Sequence, residues 1–286
     1  MELVRITNLY FRYKGSDNYA LKGVNFVADR GEYVLLTGPS GCGKSTLARV
    51  IIGLIPHFYP GEIKGEVVVA GYNVLETPTH VLAKHVGMVF QNPENQLFLS
   101  SVEREIAFSL ECHGLSPEEI EERVEEIIRT FGLEEIRDRP PYELSGGQQQ
   151  KVAIASVLAV KPSILILDEP TANLDPLSAS EILSFVAELV RKYNILAIVI
   201  EHRLELALKF ATRLVVMYEG TILADGEPRE VVLREDVHPI VGVPPVVEVY
   251  ELLLREGLSL RVPPLTPEEL AVEVAKVAAS SGHRGK

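Results

Sequence analysis

A glycine-rich stretch near the beginning of the chain reads Gly38-Pro39-Ser40-Gly41-Cys42-Gly43-Lys44-Ser45-Thr46. Its G-x-x-x-x-G-K-S spacing lets successive backbone N–H groups point at phosphate oxygens, at the positive end of the helix that follows. Lys44 is expected to reach the β- and γ-phosphates, and the Ser45 hydroxyl is placed to hold Mg²⁺. The predicted phosphate site consists of Gly38, Ser40, Gly41, Cys42, Gly43, Lys44, Ser45 and Thr46.

The segments on both sides agree with a phosphate-binding loop. Residues 34–37 form an apolar run typical of a strand, and residues 45–52 have the apolar content of a partly buried helix. Strand, glycine loop and helix is the order that such a loop requires. The alternative is a glycine-rich turn that joins a strand to a helix by chance, and the motifs farther along the chain argue against it.

Composition limits the possible partners and the cellular setting. The 286 residues, 47% hydrophobic and 24% charged, suffice for one main domain with a large core and a smaller part. A net charge of −12 argues against nucleic acid as the principal partner, because a groove for phosphodiesters needs clustered Lys and Arg. The two cysteines, Cys42 and Cys112, are too distant for a metal or redox motif, so a reduced intracellular setting is expected.

Hydropathy predicts no membrane span. No apolar stretch approaches the roughly 18 to 20 residues that cross a bilayer, and residues 1–5 lack a signal-peptide pattern. If the protein serves a membrane, we expect it to do so from the cytoplasmic side.

The pattern of residues divides the chain into four stretches. Residues 1–90 are β-rich, interrupted only by the helix after the phosphate loop, and residues 91–160 show the three- and four-residue apolar spacing of helices. After residue 160 strands and helices alternate, with 164–167 and 197–200 predicted as buried parallel strands. The sequence therefore predicts a helical block inserted into an α/β core.

The fourth stretch is a proline-punctuated tail. It is predicted to contain two short helices, whose apolar residues at 246–254 and 270–277 must pack either on their own domain or against a second subunit. Residues 280–286 are predicted to be frayed.

The segment Leu144-Ser145-Gly146-Gly147-Gln148 resembles the signature of the ATP-binding subunits of ABC transporters. A serine hydroxyl, two glycines and a helix N-terminus together make an anion-binding surface, although an ordinary Gly-Gly turn opening a helix at Gln149 fits the same residues. The resemblance implies that Ser145, Gly146, Gly147 and Gln148 face the γ-phosphate held by another subunit. Two complete sites would then form in a head-to-tail dimer.

The same resemblance assigns the residues nearest the reacting phosphate. Asp168 ends an apolar strand and is expected to contact Mg²⁺ through water, and Glu169 matches the general base or water-orienting residue. Gln91 matches the glutamine whose amide reaches both the metal and the attacking water. His202 matches the histidine that contacts the γ-phosphate. The alternatives are two carboxylates that merely end a strand, a surface glutamine and a structural histidine.

Two further positions are matched to the family. Asp175 corresponds to the aspartate of the loop that contacts the opposite subunit, and Asn173 stands where many members have serine. Tyr13 is expected to stack on adenine, since it precedes the Leu-Lys-Gly-Val segment 21–24. Other aromatic residues lie nearby at Tyr10, Phe11 and Tyr19.

A narrower resemblance covers nearly the whole chain. Residues 87–96, 201–205 and 265–270 look like the ATPase components of energy-coupling-factor (ECF) transporters, which import vitamins or transition-metal ions. In such assemblies the surface after Gln91 receives cytoplasmic helices of the membrane subunit. The exposed apolar candidates for that contact are Leu97, Phe98 and Leu99, which fit a buried core equally well.

The predicted fold is an α/β P-loop ATPase of the ABC type with a β-rich N-terminal part. Residues 1–232 form the nucleotide-binding domain, with a helical subdomain at about 91–160, and residues 233–286 form a small C-terminal helical extension. The resemblance implies ATP and Mg²⁺ as ligands, and a second ATPase subunit and integral membrane subunits as partners. The expected location is the cytoplasmic face of the membrane, as a peripheral protein.

Three other functions fit part of the pattern. An ATPase of a binding-protein-dependent transporter shares the motifs, and the tail and the residues after Gln91 argue against it. A soluble ABC ATPase that acts on DNA or ribosomes usually has a long coiled coil or two motif sets, and this sequence has neither. A nucleotide-gated scaffold without hydrolysis is disfavoured by the presence of Glu169 and His202.

Overall fold

The computed structural model describes residues 1–281, with side chains to residue 278. The described chain contains ten strands: β1 (Glu2–Tyr13), β2 (Leu21–Asp29), β3 (Tyr33–Thr37), β4 (Gly61–Val69), β5 (Tyr72–Asn73), β6 (Val86–Val89), β7 (Ile164–Asp168), β8 (Leu196–Ile200), β9 (Arg213–Tyr218) and β10 (Thr221–Gly226).

The same residues form twelve α-helices. They are α1 (Lys44–Ile51), α2 (Leu54–His57), α3 (Thr79–Leu82), α4 (Val102–Cys112), α5 (Pro117–Phe131), α6 (Gly146–Leu158), α7 (Pro176–Tyr193), α8 (Leu204–Ala207), α9 (Pro228–Val231), α10 (His238–Val241), α11 (Pro245–Arg255) and α12 (Pro267–Ser281).

Two sheets organise the molecule, as expected for the predicted α/β P-loop fold. An antiparallel sheet has the order β2-β1-β4-β5, and a mixed sheet has the order β10-β9-β3-β8-β7-β6. In the mixed sheet β6, β7, β8, β3 and β9 run parallel, so their carboxyl ends meet at one edge. Both strands predicted to be buried, β7 and β8, are buried at every residue. This edge carries the candidate site.

The predicted helical block lies between β6 and β7. Helix α5 begins with a capping box between Ser116 and Glu119 and ends at Gly132 in the left-handed conformation, which are the sequence signals of a helix start and stop. Its apolar face is buried against α4 and α6. Helix α6 lies close to β6. A Cβ atom added at Gly87 of β6 would be only 2.2 Å from the Val157 Cγ1 atom of α6, so this close packing requires a glycine.

Two predictions, about residues 1–90 and about the chain end, are wrong. Residues 1–90 contain α2 and α3 besides the helix after the phosphate loop, and four-residue helices are too short to show apolar periodicity. At the chain end, α12 continues to Ser281 instead of fraying from residue 280, and the rest of that predicted frayed end lies outside the described residues.

The tail packs on the nucleotide-binding core through part of its apolar surface. Val247 and Tyr250 of α11 are buried, and Arg229 holds the Glu269 carboxylate of α12 through two hydrogen bonds of 2.8 and 2.9 Å. Leu252 nevertheless remains 57% exposed. Among the described residues no helix is long and apolar enough to span a bilayer.

Candidate nucleotide site

The phosphate loop connects β3 to α1 and depends on glycine backbone geometry. Gly38 and Gly43 have φ angles of 142° and 113°, which L side chains rarely adopt. A Cβ at Gly38 would also lie 2.1 Å from the Met217 carbonyl oxygen. Gly43 caps α1 without a side-chain hydrogen bond, so the first N–H groups of that helix are available to an anion.

Lys44 lies inside the curl of this loop and is 5% exposed. Its amine donates to the carbonyl oxygens of Gly38 at 2.8 Å and Pro39 at 2.9 Å, and it lies 3.8 Å from the Cys42 sulfur. These contacts hold the positive charge beside the open start of α1. Of the remaining predicted residues of the loop, Ser40 and Gly41 are exposed and Cys42 and Thr46 are buried.

Ser45 and Asp168 bring two elements together. The Ser45 hydroxyl at the start of α1 donates to the Asp168 Oδ1 atom at the end of β7, over 3.2 Å. Burial raises the pKa of Asp168, and the neighbouring Glu169 charge raises it further, against the opposing effect of Ser45, Arg49 and Lys44. A positive ion at this position would remove much of that penalty.

The donor set fits Mg²⁺. No group of three or more His, Cys, Asp and Glu side chains that could hold a metal is found in the described part of the chain. A hydroxyl and one carboxylate are hard oxygen donors, and Mg²⁺ is usually bound by one or two protein oxygens together with phosphate oxygens and water. Ser45 and Asp168 are therefore the residues that would hold Mg²⁺ here.

Glu169 lies between two other predicted residues. Its Oε2 atom accepts a 2.6 Å hydrogen bond from the Gln91 amide, and its Oε1 atom lies 3.2 Å from His202 Nε2. Glu169 has φ 52°, a left-handed backbone that is uncommon for a residue with a side chain and that turns the chain at the end of β7. The structure thus brings Gln91, Glu169 and His202 into one polar cluster at the sheet edge.

The signature residues have a local structural role as well as an exposed surface. Ser145 caps α6: its hydroxyl accepts from the Gln148 N–H, and the Gln148 side chain accepts from the Ser145 N–H. The helix begins at Gly146 and not at Gln149, the start that the alternative of a Gly-Gly turn implies, because the capping box overrides the low helix propensity of two glycines. Ser145, Gly146 and Gln148 are exposed, and Gly147 is partly buried.

Asp175 and Asn173 lie in the exposed loop between β7 and α7. Asp175 caps α7 by accepting from the N–H groups of Leu177 and Ser178, and the Ser178 hydroxyl bond is the largest cause that lowers its pKa. The Asn173 amide donates to the Asn92 side chain over 3.4 Å. This loop is therefore tied to the segment that carries Gln91.

Tyr13 lies at the end of the site where the adenine base is expected to bind. Its hydroxyl is 3.1 Å from the Thr46 Oγ1 atom and accepts from Arg49 over 3.3 Å, and its ring packs edge-on against Phe11. Beside it is an open groove of about 490 Å³, lined by residues 12–17 and 60–62. An aromatic ring next to an open groove is suited to stacking on a planar base.

The surface after Gln91 differs from the predicted one. Leu97 is buried in the hydrophobic core and Leu99 is half-buried, whereas Phe98 is 67% exposed. The prediction of three exposed apolar residues is therefore wrong for Leu97. A buried carboxylate, Glu105, accepts hydrogen bonds from the N–H groups of Phe98 and Leu99 and holds this segment in place.

Sequence reasoning missed Glu201, Arg203 and Arg49. Glu201 is only 2% exposed and directly follows the five buried apolar residues of β8. A charged residue that extends such an apolar run is a sequence signal of a buried carboxylate. Arg49 carries no distinguishing motif. It contacts the Tyr13 hydroxyl, and its guanidinium lies 5.0 Å from the centre of the Tyr59 ring.

Comparisons with known sequences identify the family of the chain. A family model described as ABC transporter matches residues 21–172. An ABC transporter ATP-binding protein of Caldanaerobacter subterraneus subsp. tengcongensis is 46% identical over 92% of this chain, which spans only 46% of that relative. A relative from Pyrococcus abyssi with the same description is 40% identical over 96% of this chain and 99% of its own length.

Solved structures show the same fold. The cbiO1 protein of Clostridium perfringens, part of the ABC transporter complex cbiONQ, is 31% identical over 88% of this chain and 99% of its own, with a TM-score of 0.76. The ATP-binding cassette MJ0796, solved as a post-hydrolysis dimer with ADP and Pi, is 30% identical over 79% of this chain and 99% of its own, with a TM-score of 0.68.

Proposed function

The chain belongs to the ABC transporter family of ATP-binding proteins and is an ABC transporter ATPase, and we propose that it powers a membrane transporter by closing and opening a head-to-tail dimer around MgATP. The observation that carries this proposal is the placement of Glu169 between Gln91 and His202, beside the Ser45–Asp168 pair. A nucleotide-gated scaffold without hydrolysis has no need of such a cluster.

The phosphate end of the site acts by positioning and charge. Lys44 and the N–H groups at the start of α1 bind the β- and γ-phosphates, and Thr46 contributes its hydroxyl. Ser45 and Asp168 would hold Mg²⁺, which would supply positive charge that balances the phosphate oxygens. Tyr13 orients the nucleotide through its base.

Glu169 activates the attacking water. Its carboxylate accepts a hydrogen bond from the water and takes up the proton as the oxygen attacks phosphorus. A carboxylate accepts only, so His202 donates to it from Nε2, and Gln91 donates from its amide. These two donors fix the direction of the carboxylate before the nucleotide binds, and His202 would turn the same N–H to the γ-phosphate in the transition state.

The other half of the site is proposed to come from a second subunit. Ser145, Gly146 and Gln148 are exposed at the start of α6, where a serine and free helix N–H groups favour an anion. Asp175 and Asn173 lie in an exposed loop that is suited to cross-subunit contact. The dimeric relative with bound ADP and Pi supports this arrangement.

We assign the transporter to the ECF type, an importer of a vitamin or a transition-metal ion. The support is the likeness to cbiO1, which extends over 88% of the chain, and the α11–α12 tail, whose exposed Leu252 favours contact with another subunit. The protein would then act as a peripheral protein on the cytoplasmic face of the membrane. Purifying the native complex from membranes and identifying the co-purified subunits by mass tests this assignment.

A Glu169→Gln variant tests the dimer and the hydrolytic role together. The amide oxygen can still accept from Gln91 or from His202, its NH₂ faces the other, and the amide cannot take a proton, so ATP should bind without being hydrolysed and should trap the dimer. Size-exclusion chromatography with MgATP should show a dimer for the variant and turnover should fall by at least about 10²-fold. A variant that remains a monomer with MgATP, alone and in the purified native complex, would contradict the shared site.

A further inference from the structure

Glu201 is a buried carboxylate directly before His202, and its hydrogen bonds join two loops. The side chain is 2% exposed, and its own N–H donates to the Leu36 carbonyl of β3, which anchors it at the sheet edge. Its Oε2 atom accepts from the backbone N–H groups of His202 at 3.0 Å and Arg203 at 3.4 Å. The backbone that carries His202 is therefore wrapped around this carboxylate.

The other oxygen of Glu201 binds the loop after Glu169. Its Oε1 atom accepts from the Thr171 N–H at 3.1 Å and also from the Thr171 hydroxyl. Thr171 is completely buried. Four donors around one carboxylate supply the compensation that a buried negative charge needs, and both donors from Thr171 belong to a different loop from those of residues 202 and 203.

Arg203 also binds this loop, but it donates hydrogen bonds to the loop whereas Glu201 accepts them. Its guanidinium donates to the Thr171 carbonyl oxygen at 3.1 Å and to the Leu174 carbonyl oxygen at 3.0 Å. The residues on either side of His202 thus hold both the start and the end of segment 171–174. Both hydrogen bonds come from one nitrogen, Nη1, which carries two N–H bonds.

We propose that Glu201 and Arg203 are positioning residues that hold His202 and segment 171–175 as one unit, so that the placement of this segment against a second subunit sets how His202 meets Glu169 and the γ-phosphate. This inference rests on the proposed ATPase function and adds a connection within it. Segment 171–175 contains Asn173 and Asp175, both exposed, and His202 lies 3.2 Å from Glu169. The end of the unit that carries Asn173 and Asp175 is therefore accessible to a partner subunit, and the end that carries His202 contacts Glu169.

The test is a double-variant cycle in the full chain, with MgATP turnover, affinity for MgAMP-PNP and thermal unfolding measured for each protein. Glu201→Gln places an amide NH₂ against N–H donors and should lower kcat about tenfold, with KM and MgAMP-PNP affinity changed less than about twofold. In a His202→Ala background the same substitution should lower kcat no further, because it acts through His202. A merely structural role would give the same factor in both backgrounds.

Two further pairs keep the test independent of folding. Thr171→Ser retains the hydroxyl and should keep kcat, whereas Thr171→Val should lower it, and this pair replaces Glu201→Gln if that variant does not fold. Arg203→Ala should lower kcat, and Arg123→Ala is the matched control, since Arg123 also donates to a backbone carbonyl, that of Ala159, far from the site.

Equal kcat losses for Glu201→Gln with and without His202, or a loss of nucleotide affinity as large as the loss of kcat, would overturn the inference. Absence of turnover in the unmodified chain would contradict the proposed function itself, and the inference would fall with it. If the unmodified chain turns over normally and the kcat losses of Glu201→Gln and His202→Ala are additive, only the role of Glu201 and Arg203 is contradicted.

Discussion

The two halves of the nucleotide site differ in where their polar side chains find partners. In the half built on the phosphate loop, the partners come from distant parts of the chain: Ser45 bonds to Asp168, and Glu169 contacts Gln91 and His202. In the half built on the signature, Ser145 and Gln148 bond to each other within a single helix cap. The first half is assembled by the fold, whereas the second is an exposed helix start that we propose contacts another subunit.

This difference separates two kinds of substitution. A change in the first half should affect nucleotide chemistry within one chain, because the interacting groups are all present there. A change in the second half should affect association between chains and leave the fold and the nucleotide affinity of each chain nearly intact.

Lys44→Ala should have the largest effect. It removes the only charge held inside the phosphate loop curl, so MgAMP-PNP affinity should fall more than about tenfold and turnover about 10²-fold or more. Calorimetry and phosphate release measure the two effects. Lys161→Ala, at an exposed lysine paired with Glu126, is the control and should match the unmodified protein. Unchanged affinity would break the assignment of the phosphate half.

His202→Ala should reduce turnover by about 10²-fold while changing MgAMP-PNP affinity less than about twofold, since its contact strengthens as charge moves onto the γ-phosphate. The same two assays decide the result. Affinity losses equal to those of Lys44→Ala would show that the two residues do not have distinct roles.

Ser145→Ala should have a smaller effect, of a different kind. Ser116→Ala is its matched control, because both serines cap a helix through a capping box. Each variant should lose about 1 kcal/mol of stability as the cap is removed. Only Ser145→Ala should also weaken the ATP-trapped dimer of the Glu169→Gln protein, which sedimentation measures. Equal dimer affinities for the two variants would reduce Ser145 to a cap.

Phe98→Ala should leave turnover of the isolated chain nearly unchanged but release it from the membrane complex. Phe58 is equally exposed, at 67%, and lies in a different part of the chain, so Phe58→Ala is the control and should stay bound. Co-purification of membrane subunits is the measurement. Retention of both variants would exclude Phe98 from the docking surface.

The sequence predicts the elements whose signals are local and strong. Strands β7 and β8 are continuous apolar runs, and α5 has Ser116 and Glu119 at its start and Gly132 at its end. Short helices such as α9 and α10 were not predicted, because four residues cannot display a helical period. The fold class is confirmed, whereas the domain boundary at residue 232 stays a prediction.

The site divides in the same manner. Motif spacing identifies the residues that the structure gathers around Glu169, because each follows a strand and parallel strands end at one edge. Spacing says nothing about which residue of an apolar run points inward, and Leu97 was misjudged for that reason. The contacts of Glu201 with Thr171 join positions 30 residues apart, so no local pattern reveals them.

The close approach of α6 to β6 has a mechanical consequence. A 13-residue helix is about 20 Å long and stiff, and it carries Ser145 at one end and Val157 at the other, seated where Gly87 lacks a side chain. Gly87 and Val157 are the point of direct contact between β6 and α6. Since β6 leads directly to Gln91, a displacement of α6 at this contact would also move the strand that places Gln91 beside Glu169.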